Sequence, residues 1–138
     1  AETGSNWIQP ITDIATGNSI AIAQITWVEV LSALARRQRE GSLSAGDFNS
    51  VVQDFREDFD NQYQVIEVNQ ALIEKAGELV IQYPLRAYDA VQLASALEFQ
   101  VAWNQISNTQ LIFLSADNRL LNIAQSEGLA TDNPNNYP

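Results

Sequence analysis

Leu111-Ile112-Phe113-Leu114-Ser115-Ala116-Asp117-Asn118-Arg119-Leu120-Leu121 passes from four apolar residues, through a small turn carrying a carboxylate, into a helical pattern. Residues 111–114 read as a short strand that is apolar on both faces, as a strand covered by helices on both sides must be. Leu120, Leu121 and Ile123 continue as the stripe of a helix that Gly128 stops. Two further segments, residues 19–23 and 63–68, also read as strands.

The stretches between the strands have helical period. Thr26 with Glu29 three positions on matches a capping box, and Val28, Leu31, Leu34 and Ala35 carry the stripe onward until Gly41 ends it. A second helix opens at Ser44 with Asp47 three positions on, buries Phe48, Val51, Val52, Phe55 and Phe59, and exposes Asp54, Glu57, Asp58 and Asp60. Asn69 caps a helix through Leu72, Ile73, Ala76, Leu79 and Val80, which Pro84 closes. Residues 86–103 show the stripe Ala90, Leu93, Ala94, Leu97 and Val101, rich in small residues that permit close approach. Trp7, Ile8, Ile11 and Ile14 share one helical face near the start, and the three tryptophans read as core. Strands alternating with helices give the α/β class with a parallel sheet, whose functional groups gather at the carboxyl ends of the strands.

The 138 residues are 46% hydrophobic, with no internal repeat or linker, and are read as a single domain over 1–138. Cysteine and histidine are both absent, which removes disulfides, thiol nucleophiles, Ser-His-Asp triads and histidine-bound zinc. Carboxylates dominate what is left, 17 Asp and Glu against 7 Lys and Arg, for a formal charge of −10. That charge repels phosphate backbones at long range and disfavours duplex binding through a broad basic patch. No apolar run approaches the roughly 20 residues of a membrane span, and residues 1–6 lack a signal-peptide pattern. A soluble, cytoplasmic protein is expected.

Three acids stand near element ends: Glu29 in the first turn of a helix after a strand, Asp89 early in a helix, and Asp117 just past a strand. If the fold gathers them, their mutual repulsion calls for a cation, and an oxygen-only donor set favours Mg²⁺ or Mn²⁺ over zinc. Such a centre hydrolyses phosphodiesters by activating a water and neutralising developing charge. Each acid also has a purely structural reading. Glu29 belongs to the capping box with Thr26, Asp89 lies at helical spacing from Arg86 for a surface ion pair, and Asp117 can cap the last helix. Arg36, with Arg37 and Arg39, could guide a strand of nucleic acid or merely suit a helix C-terminus, and Arg86 and Arg119 are equally ambiguous beside their acids.

Ile25-Thr26-Trp27-Val28-Glu29-Val30-Leu31-Ser32-Ala33-Leu34, Leu85-Arg86-Ala87-Tyr88-Asp89-Ala90-Val91-Gln92-Leu93-Ala94-Ser95-Ala96 and Phe113-Leu114-Ser115-Ala116-Asp117-Asn118-Arg119-Leu120-Leu121, ending in Glu127-Gly128-Leu129, together resemble the PIN domain. More narrowly they look like the VapC-type ribonuclease toxins. The resemblance implies a three-layer α/β/α sandwich around a mostly parallel central sheet. It also implies a pocket of acids that binds Mg²⁺ or Mn²⁺ and cleaves single-stranded RNA. By motif position it makes Glu29, Asp89 and Asp117 the metal ligands, with Asn118 assisting a metal-bound water. Homodimerisation and a small antitoxin partner, with an arginine entering the pocket, are implied as well.

The same resemblance expects a central first strand ending in an aspartate, and nothing in Ala1-Glu2-Thr3-Gly4-Ser5 matches it. Asp13 lies in a helical stripe and does not stand in for that acid. Sheet edges left without a neighbour expose unpaired backbone, so another segment or chain is expected in that place. The rival expectation is a non-catalytic interaction module that keeps the fold with an incomplete acidic site. A phosphate-accepting receiver domain fits poorly, because the single lysine, Lys75, falls in mid-helix.

Overall fold

Ser44 Oγ accepts the N–H of Asp47 at 3.1 Å and donates to its Oδ2 at 2.7 Å, fixing the turn from which a helix starts. The computed structural model describes residues 2–138. Its elements run α1 (Ser5–Thr12), β1 (Ala21–Ala23), α2 (Thr26–Arg39), α3 (Ala45–Asn61), β2 (Gln64–Ile66), α4 (Gln70–Gln82), α5 (Ala87–Ile106), β3 (Ile112–Leu114), α6 (Asn118–Ser126) and β4 (Ala130–Asp132), with 3-10 turns at Ile14–Thr16 and Pro134–Asn136. Among these residues no helix is long and apolar enough to cross a membrane.

The helix boundaries follow local chemistry. Asn69 Oδ1 takes the Leu72 N–H at 2.9 Å and starts α4. Gly41 and Gly128 sit at φ +78° and +93° just past α2 and α6. In both places the next residue reaches back across the turn, Ser42 N to Arg37 O and Leu129 N to Ala124 O, each at 3.0 Å, and closes the helix. The start of α2 departs from expectation. Thr26 is already the first helical residue, Ile25 holds the N-cap position with no side chain capping there, and the Glu29 N–H goes to the Ile25 carbonyl at 3.3 Å. The Thr26 hydroxyl is thus one position too late to act as the cap of a capping box.

The class is α/β, with both strand pairs parallel: β1 with β2 in the register Ala21↔Gln64, and β3 with β4 in the register Ile112↔Ala130. The strands form two two-stranded sheets where one central sheet was expected. The short strand β4 was not foreseen. Its Ala-Thr-Asp sequence carries no apolar run, and its pairing with β3 makes it a strand.

Two compact units share the chain, one of Ser19–Glu67 and one of Ala1–Asn18 with Val68–Pro138. In the first, α2 and α3 meet through aromatic rings. Trp27 stacks on Phe55 at 5.3 Å and meets Phe59 edge-on, while the Arg56 guanidinium lies 3.6 Å over the Trp27 ring. In the second, α4 presents Leu72, Ala76 and Leu79 and α5 presents Ala90, Leu93 and Ala94, all buried, with Leu120, Leu121 and Ala124 of α6. Each buried leucine contributes roughly 1.5–3 kcal/mol. The stripe of α5 is buried only in its first half, since Val101 is 64% exposed.

One glycine is required by close approach. Gly4 has φ +83°, and a Cβ there would stand 2.3 Å from the Pro134 carbonyl oxygen, so the start of α1 lies directly on the Pro134–Asn136 turn. Trp7 then stacks on Tyr137 with ring centroids 4.2 Å apart and planes 4° from parallel. The half-buried Trp7 is therefore an aromatic clamp at the chain's two ends rather than a core residue.

Candidate active site

The carboxyl ends of β3 and β4 lie side by side, in the register Leu114↔Asp132, and the chain leaves β3 through Ser115-Ala116-Asp117. Ser115 Oγ accepts the Asp117 N–H at 3.1 Å, which tightens the turn. One oxygen of Asp117, Oδ1, then caps α6 by accepting the N–H groups of Arg119 at 2.8 Å and Leu120 at 3.3 Å. Its other oxygen, Oδ2, has no partner among the described residues. The capping role is real, and it leaves half of an exposed carboxylate available to a ligand.

Asp89 sits in the first turn of α5 behind Arg86, which holds the N-cap position without a side-chain cap. Arg86 and Asp89 do not form the ion pair their spacing allows; the described residues instead pair Arg56 with Asp60 at 3.5 Å and Lys75 with Glu78 at 3.6 Å. The Asp89 carboxylate is half-buried and has no hydrogen-bond or ion-pair partner among the described residues. Arg119 joins the two acidic segments. Its guanidinium donates to the Pro84 carbonyl at 2.8 Å, tying the first turn of α6 to the loop that enters α5.

Glu29 is exposed in the first turn of α2, three residues past the start of a helix that follows the carboxyl end of β1, and Arg36 lies in the last turn of the same helix. These two belong to the unit of Ser19–Glu67, whereas Asp89, Asp117, Arg86 and Arg119 belong to the other. Within either unit, among the described residues, no three acids gather as a metal cluster.

Sequence reasoning missed two residues at the end of β4, beside the loop that leaves β3. Asn133, only 4% exposed, donates through Nδ2 to Asn118 Oδ1 at 2.7 Å and to the Ala116 carbonyl at 3.4 Å, gripping the loop from the end of β4. Asp132 accepts the Tyr137 hydroxyl at 3.0 Å. That hydrogen bond, with lesser help from burial and from the charge itself, holds the Tyr137 phenol above the ordinary tyrosine range. The Asn-Pro pair at 133–134 was the available signal, because such a pair marks a turn and hence the end of an element before it.

The donor chemistry fits a hard divalent cation. Asp89 and the free oxygen of Asp117 offer carboxylate oxygens, the donor type that an ion of the Mg²⁺ class takes, from two segments tied by the Arg119–Pro84 hydrogen bond. Comparison with curated proteins returns no match, and neither does comparison with solved structures. The model of one family, the PIN domain, matches residues 6–125, a span that contains Glu29, Asp89 and Asp117. The chain belongs to the PIN-domain family, whose members are in general nucleases and typically use divalent metal ions.

Proposed function

We propose that this chain is a metal-dependent endoribonuclease that hydrolyses phosphodiester bonds of single-stranded RNA, as the VapC-type toxin of a toxin–antitoxin pair. The observation that carries the reading is the half-buried Asp89 carboxylate, left without a partner in a chain of a nuclease family. Glu29, Asp89 and Asp117 are the proposed ligands for Mg²⁺ or Mn²⁺. A divalent ion bound there supplies activation of water and neutralisation of charge on the phosphodiester.

The remaining roles fall to the protein's own side chains. Asp117 holds its ligating oxygen still because the other oxygen is fixed by two N–H groups at the start of α6. Arg119 keeps the Asp117 and Asp89 segments together through Pro84. Arg36 and Arg86 offer cationic contacts to the RNA backbone, and Arg119 adds one with the nitrogens that Pro84 leaves over. The reading includes a homodimer, a cytoplasmic place of action, and an antitoxin whose arginine enters the acidic pocket charge for charge.

The test is incubation of the full chain with labelled single-stranded RNA, and in parallel single-stranded DNA, in Mn²⁺ or Mg²⁺ and in EDTA. Metal-dependent cleavage of RNA supports the reading. A non-catalytic interaction module would cleave neither strand and would gain no stability from Mn²⁺.

A further inference from the structure

Asn118, exposed at the first position of α6, has its amide orientation set by a chain of partners. The chain begins at a backbone group, where the Asn135 N–H donates to Asn133 Oδ1 at 2.9 Å. An oxygen must face that donor, so the Asn133 nitrogen points the other way, toward the Ala116 carbonyl at 3.4 Å and toward Asn118 at 2.7 Å. A nitrogen that only donates must meet an oxygen. Asn118 therefore turns Oδ1 inward to Asn133 and leaves its NH₂ group to face outward. That NH₂ has no hydrogen-bond partner among the described residues.

This orientation decides which ligand Asn118 suits. Hard cations take oxygen donors, and the one oxygen of this amide already accepts from Asn133. An outward NH₂ suits an anionic oxygen, and the first turn of a helix adds backbone polarity of the same sense.

We propose that Asn118 is a substrate-binding residue that donates to a phosphate oxygen of single-stranded RNA next to Asp117, and that Asn133 is the positioning residue that holds its amide in that sense. This rests on the ribonuclease reading above and adds a contact to it.

The experiment compares the full chain with Asn118→Ala and Asn118→Asp in two titrations, Mn²⁺ binding followed by electron paramagnetic resonance and binding of a labelled short single-stranded RNA in Ca²⁺. Losing a hydrogen bond to a charged group predicts that Asn118→Ala weakens RNA binding roughly tenfold or more, with Mn²⁺ affinity unchanged. Asn118→Asp keeps the oxygen that faces Asn133, and with it the local fold. It should bind RNA more weakly still and Mn²⁺ no less tightly. The side-chain NH₂ resonances of Asn118 should shift when RNA is added to the unsubstituted chain. Unchanged RNA binding in Asn118→Ala, or Mn²⁺ affinity lowered as far as in Asp117→Asn, would overturn the proposal alone. Failure of the unsubstituted chain to bind RNA at all would overturn the ribonuclease reading and this contact with it.

Discussion

The guanidinium of Arg119 donates to the carbonyl oxygen of Pro84 at 2.8 Å, across 35 positions of sequence, and makes neighbours of the turn that starts α6 and the loop that enters α5. This one hydrogen bond links the segments of Asp117 and Asp89. Arg119→Gln is expected to cost at most about 1.5 kcal/mol of stability, because the bond is exposed. It is expected to lower Mn²⁺ affinity several-fold by loosening the spacing of the two acids. Urea denaturation and Mn²⁺ titration check the two effects separately, and unchanged Mn²⁺ affinity would mean that Arg119 does not act as a brace.

Asp117 has two functions on two oxygens, so two substitutions separate them. Asn is as good a helix cap as Asp, and Asp117→Asn should keep the stability of the chain in EDTA while losing the stabilisation that Mn²⁺ gives. Asp117→Ala removes the cap as well and should cost about 1 kcal/mol in EDTA. Thermal unfolding with and without Mn²⁺ reads both. Equal stabilisation of Asp117→Asn and the unsubstituted chain by Mn²⁺ would remove Asp117 from the ligand set.

Gly4 is held at positive φ against the Pro134 carbonyl. Gly4→Ala must push α1 off that turn, and the Trp7–Tyr137 stack should open. The expected outcome is a red-shifted, more quenchable Trp7 emission in a Trp27→Phe, Trp103→Phe background, with a loss of stability above 1 kcal/mol. An unmoved emission spectrum would show that the contact is not needed to seat α1.

Tyr63 is held above the ordinary tyrosine value of 10.0, first by burial and second by the charge of Asp58. A raised value in the folded state means that the fold prefers the protonated phenol. That share of stability is fully present below pH 10.0 and is lost as pH rises through the higher folded value. Absorbance titration of tyrosinate should show a late component, shared with Tyr137, that Tyr63→Phe diminishes and Asp58→Asn moves part of the way down. A late component untouched by Tyr63→Phe would contradict the assignment.

Much of the fold was legible because its signals are local. Ser44, Asn69 and Asp117 cap the helices that their sequences announce, and Gly41 and Gly128 end theirs in the left-handed conformation only glycine adopts freely. Local signals also misled at Thr26, where the helix starts one residue earlier than a capping threonine requires and Ile25 takes the N-cap position. Strand β4 was illegible because nothing in Ala130-Thr131-Asp132 demands a strand without β3 beside it.

The candidate site divides in the same way. Asp89 and Asp117 could be read from motif position, but their freedom could not. The sequence offers Asp89 an arginine at helical spacing, and only the structure leaves that carboxylate unpaired. Asn133 acts 15 positions from Asn118 and became visible only when β4 brought them together.

The most direct measurement is the rate at which the full chain cleaves a labelled single-stranded RNA in Mn²⁺, beside Asp89→Asn prepared identically and beside an EDTA control. The account predicts cleavage by the unsubstituted chain, its loss in EDTA, and a fall of at least about a hundredfold in Asp89→Asn, as expected when a ligand of a catalytic ion is neutralised. Equal rates for the two proteins, cleavage that survives EDTA, or no cleavage by the unsubstituted chain would contradict it.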